Sequence, residues 1–186
     1  MAIKIINGTQ MTMAWHVDDL KMSHRKLSAI KDFAKLLNNE FGKETPIKES
    51  YGVKHEYLRM LLHYSMTGEV TISMADYTWI ILQEAPADMT GTAAIPADNC
   101  LFVNKTNPTK LTGEKKDIFV HIAMQLLYLS QQTWPDIWTA MLFLCGRLHH
   151  ADVDDYKKVA KVIKYLHGTI NLPLQLQGDG LGIIKW

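Results

Sequence analysis

The sequence predicts an α+β fold followed by a helical subdomain, and three observations carry that expectation. Asn7-Gly8 stands between two strand-like runs, and Asn-Gly is the strongest short hairpin signal because both positions accept positive φ. From Leu27 the apolar period changes: Leu27, Ile30, Phe33, Ala34, Leu37 and Phe41 recur at helical spacing, and Gly42 stands where a helix should stop. In the last third, Ile118, Phe119, Ile122, Ala123, Leu126 and Leu127 form one apolar helical face.

In order along the chain, residues 2–6 read as a strand, 9–17 as its return strand and 20–23 as a third. A helix is expected over 26–41. Strand-like runs follow at 48–53 and 57–64, then a Thr67-Gly68 turn, a strand at 70–73 and a short helix over 75–83. Residues 86–111, rich in Ala, Pro, Asn and Thr, read as a linker or an irregular excursion. Pro135 suits the first turn of a second C-terminal helix, where its missing N–H is no loss. A third helix is expected over 153–167, with Asp152 as N-cap and Gly168 as C-cap. Strands are expected at 172–176 and 183–186.

Composition narrows the function classes. The 186 residues are 47% hydrophobic and 21% charged, which excludes disordered and low-complexity chains. Twenty Lys and Arg face 19 Asp and Glu, so the net charge of +1 creates no global pull toward polyanions. Attraction to nucleic acid must come from local clustering. The apolar stretches around 118–129 and 137–145 fall short of the roughly 18–20 residues of a membrane span, so no membrane partner is expected. Cys100 and Cys145 lie 45 positions apart and suggest neither a disulfide scaffold nor a zinc site. The expected compartment is reducing and intracellular. No GxGxxG, P-loop or GxSxG pattern occurs. The methionines, Met11, Met13, Met60 and Met74 among them, read as core filler, His121 as packed within its helix, and His149-His150 as exposed.

Two constellations carry chemistry. Asp18-Asp19 falls between a long β-type run and a short one, and a tight hairpin is where neighbouring carboxylates reach a common ion. Mg²⁺ takes one or two carboxylates and fills its shell with waters and phosphate oxygens. On spacing alone, the ordinary alternative is solvated turn chemistry. The second constellation is Lys157, Lys158, Lys161 and Lys164, which share one side of the last helix opposite Tyr156, Val159, Ala160, Ile163 and Leu166. Such a row can neutralise phosphates without reading sequence, or it can simply be a solvated face.

At WHVDDLKMSH (15–24) the chain resembles the active-site box of reverse transcriptases of copia-type LTR retrotransposons, with His16 where the box has an aromatic residue. Three further segments are similar to that family and fall in its order. HEYLRMLLHYSMTGEVTISMADYTWIIL (55–82) resembles the Tyr-Leu-Gly hairpin, Gly-containing turn and Tyr-led helix. TWPDIWTAMLFLCGRL (133–148) is similar to the Arg-Pro-Asp-Ile signature. DVDDYKKVAKVIKYLHGTINLPLQL (152–176) resembles the basic helix that ends in Tyr-Leu-x-Gly-Thr.

The resemblance implies an RNA-directed DNA polymerase. Residues 1–84 would be the second half of its palm, 85–112 a linker, and 113–186 the helical thumb and connection, leading toward a ribonuclease H domain that is absent here. It implies two Mg²⁺ ions, metal ligation and catalysis by Asp18 and Asp19, and primer positioning by Tyr57 and Leu58. The basic row Lys157, Lys158, Lys161 and Lys164 would face template–primer phosphates. The implied partners are an RNA template, a DNA primer, deoxynucleoside triphosphates and the remaining polyprotein segments; the implied setting is the cytoplasm or a virus-like particle. The sequence departs from the family in three places. The region that carries the third metal carboxylate and the fingers is not in this chain, Arg59 stands for the hairpin glycine, and Trp134 stands for the usual Arg. The 186 residues alone are therefore expected to be inactive. The alternative is a non-catalytic nucleic-acid-binding or interaction remnant.

Overall fold

The computed structural model describes residues 1–177, and the strand expected at 183–186 lies outside them. The chain is α+β and divides into two compact units, Met1–Ser65 and Met66–Trp186. The division falls after Ser65, within the segment expected to close the palm at 84.

The first unit opens with an antiparallel sheet of three strands, β1 (Ala2–Ile6), β2 (Thr9–His16) and β3 (Asp19–Ser23), in the order β1-β2-β3. Asn7 and Gly8 take φ of 51° and 72°, the doubly left-handed turn that matches strand twist, and Ile6 pairs with Thr9 to close it. Helix α1 (Leu27–Phe41) follows. Its apolar stripe is buried only at the centre, at Ala34, while Leu27 and Phe41 at the two ends are exposed; Ala29 in the first turn is also buried. Gly42 caps the helix as expected, though through space rather than φ. A Cβ there would lie 2.5 Å from the Asn38 carbonyl oxygen.

Residues 48–53 form no strand, and 57–64 are not one run. Instead β4 (Lys54–Tyr57) and β5 (Met60–Tyr64) pair as a hairpin closed by Tyr57 and Met60. Both turn residues, Leu58 and Arg59, are left-handed, with φ of 52° and 61°. Neither is the Gly or Asn that announces such a turn in sequence, so the pattern concealed it.

The second unit pairs β6 (Glu69–Ser73) with β7 (Leu174–Gln177) and packs four helices: α2 (Ala75–Glu84), α3 (Gly113–Gln132), α4 (Trp138–Cys145) and α5 (Val153–Thr169). The core is the meeting of Ile81, Phe119, Ile122, Leu126, Met141, Leu144, Ile163 and Leu166, all inaccessible to solvent. Pro135 opens a short 3₁₀ turn ahead of α4, in the place its ring favours. Asp152 caps α5 and Asp155 reaches back to it, a complete capping box. Gly168 does not end that helix. The helix runs one residue further and is capped at Ile170.

Residues 86–111 are irregular apart from a 3₁₀ turn at Ala87–Met89, yet they are no loose linker. Met89, Leu101 and Leu111 are buried, and backbone bonds from Leu111 to Ala151 and from Val153 to Thr109, each 2.9 Å, fasten the segment to the start of α5. No helix among the described residues is long and apolar enough to cross a membrane.

Candidate functional site

The β2–β3 hairpin places Val17 and Asp18 in a two-residue turn closed by the His16–Asp19 pair. Asp19 is thus the first residue of β3 and Asp18 its turn neighbour, both exposed. Val17 takes a φ of 50°, a conformation unfavourable for a β-branched residue. The Trp15 indole Nε1–H donates to the Val17 carbonyl at 2.6 Å across the turn. That bond holds the tip in place while the indole ring remains largely exposed.

Asp18, Asp19 and Tyr57 line one cleft of about 470 Å³ in the first unit, together with Lys21, His24, His55 and Glu56. Two contacts brace its walls. The Lys21 ammonium lies 4.8 Å from the centre of the Tyr64 ring, a cation–π contact between β3 and β5. His55 sets its ring edge-on to Tyr64 at 5.9 Å and bonds the Gly52 carbonyl at 2.8 Å through Nε2. Leu58, the second expected primer-positioning residue, sits half-buried in the adjacent turn and does not line the cleft.

As a donor set for Mg²⁺, Asp18 and Asp19 are hard, solvent-facing carboxylates on neighbouring positions, which suits an ion that keeps several waters. Among the described residues no group of three or more His, Cys, Asp or Glu gathers to hold a metal ion.

The lysine row is placed differently from a solvated stripe. Lys157 is exposed, but Lys158 donates to the Val103 carbonyl at 2.9 Å, pairs with Asp154 at 3.1 Å and lies over the Phe143 ring. Lys161 is bonded to Asp98. Lys164 is half-buried, and its carbonyl accepts from the Ala93 N–H at 3.1 Å.

Three polar groupings escaped the sequence reading. Arg147 donates through Nε to both carboxylate oxygens of Asp155 at 2.7 Å and through a terminal nitrogen to Asp152 at 3.0 Å. Both aspartates are almost fully buried, and the Asp155 carboxylate beside it pushes the Arg147 pKa up. The Asp-x-x-Asp spacing of a capping box was the available signal for the pair; nothing local pointed to Arg147. Tyr156 donates to Asp88 at 3.0 Å, and Tyr165 to Asp136. Burial, then the adjacent carboxylate, pushes each phenol up to about 12.

His121, expected to pack within its helix, is exposed. Its Nε2 contacts Glu84 at 3.1 Å, and Gln125 donates to the same oxygen at 2.6 Å. The Gln125 bond, then His121, lowers the Glu84 pKa. His149 and His150 are exposed, and Met11 and Met74 are buried, as expected. Trp134, which stands where the resembled family has Arg, is buried and meets Tyr165 edge-on at 6.1 Å.

No protein-family model, no curated protein and no solved structure matches the chain.

Proposed function

We propose that this chain is a segment of a copia-type RNA-directed DNA polymerase, carrying the Val-Asp-Asp tip of the palm and the helical region that follows it. One observation carries the reading. The Asp18-Asp19 tip and Tyr57, two motifs far apart in sequence, line a single cleft within one compact unit. A solvated turn needs no such neighbour.

Asp18 and Asp19 would hold Mg²⁺, which when bound supplies activation of a primer hydroxyl and neutralisation of charge on a transferring phosphoryl group. The chain's own residues provide the frame. The Trp15–Val17 bond fixes the carboxylates on their turn, and the Lys21–Tyr64 contact joins the strand after the box to the hairpin of Tyr57. The basic face toward template and primer is narrowed to Lys157 and Lys164, because Lys158 and Lys161 are already bonded within the fold.

Primer extension on an RNA template tests the proposal. The 186-residue chain alone should extend nothing, since two carboxylates make only part of a two-metal site. Joined to the fingers and upstream palm of a copia-type polymerase, it should extend the primer, and Asp18→Asn should abolish that activity. Synthesis insensitive to Asp18→Asn, or an inert chimera with Asp18 intact, would overturn it.

A further inference from the structure

Residues 93–105 lie as a strap along α5, and the groups that fasten it are the lysines that a polyanion would use. Lys161 is bonded to Asp98, Lys158 to the Val103 carbonyl, and Lys105 of the strap reaches back to Asp154 at 3.1 Å. Asp98 and Asp154 thus occupy ammonium groups much as phosphate oxygens would. The strap has one buried apolar anchor, Leu101; Phe102 meets the Phe143 ring edge-on at 5.4 Å but stays largely exposed, as does Val103. Asp98 itself is about half exposed, and ion pairs in that setting are weak because water and salt screen them. A small cleft of about 130 Å³ beside the strap is lined by Lys157 as well as Lys158 and Lys161, so a polyanion landing on exposed Lys157 would reach the two covered lysines next.

We propose that the 93–105 strap is an autoinhibitory cover over the α5 lysine row, displaced when a nucleic-acid backbone outcompetes Asp98 for Lys161. The inference rests on the reading of α5 as a face toward template and primer, and it adds a regulated state to that face. A protein whose binding-competent form is only partly populated binds more weakly by that fraction, and removing the competitor restores the affinity.

The test uses the whole chain and an RNA–DNA hybrid followed by fluorescence anisotropy over a salt series. Asp98→Asn keeps the shape of the side chain and removes the charge. It should tighten binding about three- to tenfold at low salt and steepen the slope of log affinity against log salt by about 0.9, because the Lys161–phosphate contact then no longer replaces an ion pair within the chain. Hydrogen exchange reads the strap directly. Hybrid binding to the unaltered chain should speed exchange at the Ala93 and Leu101 amides, which are bonded to Lys164 and Asp98 carbonyls in the closed form. Equal binding by both proteins, weakened in each by Lys157→Gln, would overturn the cover while leaving the basic face intact. So would slowed exchange along the strap on binding. Absence of binding by either protein would overturn the basic face, and the cover with it.

Discussion

Tyr165 donates its phenolic hydrogen to Asp136, tying the Tyr-Leu-x-Gly-Thr end of α5 to the Pro-Asp-Ile turn that precedes α4. Edge-on contact between Tyr165 and Trp134 completes the junction. Two segments read as separate motifs are therefore one joint, and their side chains serve the fold.

This joint and the Tyr156–Asp88 bond should both weaken at alkaline pH. Tyr165 and Tyr156, each beside an aspartate, ionise near 12 in the folded chain, against about 10 when unfolded. A folded pKa that is raised contributes stability in full below pH 10 and loses it as pH climbs toward 12. The denaturant midpoint should therefore fall between pH 10 and 12. Tyr156→Phe with Tyr165→Phe should flatten that fall while costing about 1 kcal/mol per lost hydrogen bond at neutral pH. A midpoint with the same alkaline slope in the double variant would refute the assignment.

Arg147 bonds two almost fully buried carboxylates, Asp152 and Asp155, with Lys158 4.0 Å from the latter. Arg147→Met should lower stability by about 3–5 kcal/mol, because it strands buried charge instead of removing a pair. Arg147→Met combined with Asp152→Asn and Asp155→Asn, which keep the oxygen acceptors of the capping box and remove the charges, should cost less than Arg147→Met alone. Equilibrium unfolding in urea distinguishes these cases; equal losses would mean that the network is not electrostatically coupled.

What was legible in the sequence was local. Asn7-Gly8 announces its turn because its φ angles demand those residues, and Asp152 announces α5 because a cap acts on its own first turn. The position of the Asp18-Asp19 tip was legible from the β-type runs on either side of it, although Val17 is a poor residue for its turn. The Leu58–Arg59 turn was not, since its residues are poor choices for the geometry they adopt and the surrounding strands impose it. Nor was the fate of the lysine row legible. The partner of Lys161 is 63 positions away, in a segment whose composition suggested a linker or an irregular excursion and nothing about where it would lie. A helical wheel shows which side chains share a face and says nothing about what another part of the chain lays across it.

The strained turns should respond to glycine. Arg59 and Val17, at φ of 61° and 50°, occupy conformations that cost an L-residue roughly 1–2 kcal/mol and glycine much less. Arg59→Gly and Val17→Gly should each raise thermal stability, by about 1 kcal/mol once the added freedom of the unfolded chain is deducted. In the chimeric polymerase Arg59→Gly should also raise primer extension, because it opens room for close backbone approach at the Tyr57–Met60 hairpin. Loss of stability with Arg59→Gly would mean that contacts of the arginine outweigh the strain in its turn.

Trp134 offers the most decisive substitution. The resembled family carries Arg at this position, so Trp134→Arg restores its motif, and a motif-based view expects tolerance or gain. The packing predicts the opposite. Trp134 is 2% exposed, and its ring faces Tyr165. A guanidinium placed there must shed its water, and Asp136, the nearby carboxylate, already accepts from Tyr165. The substitution therefore removes about 3–5 kcal/mol of buried aromatic packing and adds the desolvation of a poorly paired charge. Trp134→Arg should unfold the second unit or shift its urea midpoint to near zero, whereas Trp134→Phe, which keeps an aromatic ring at the joint, should retain most of the stability. Near-native stability with Arg would show that the Pro135 turn can swing to pair the new cation with Asp136, releasing Tyr165. In that case the alkaline fall in the denaturant midpoint assigned to Tyr165 should disappear from the same protein.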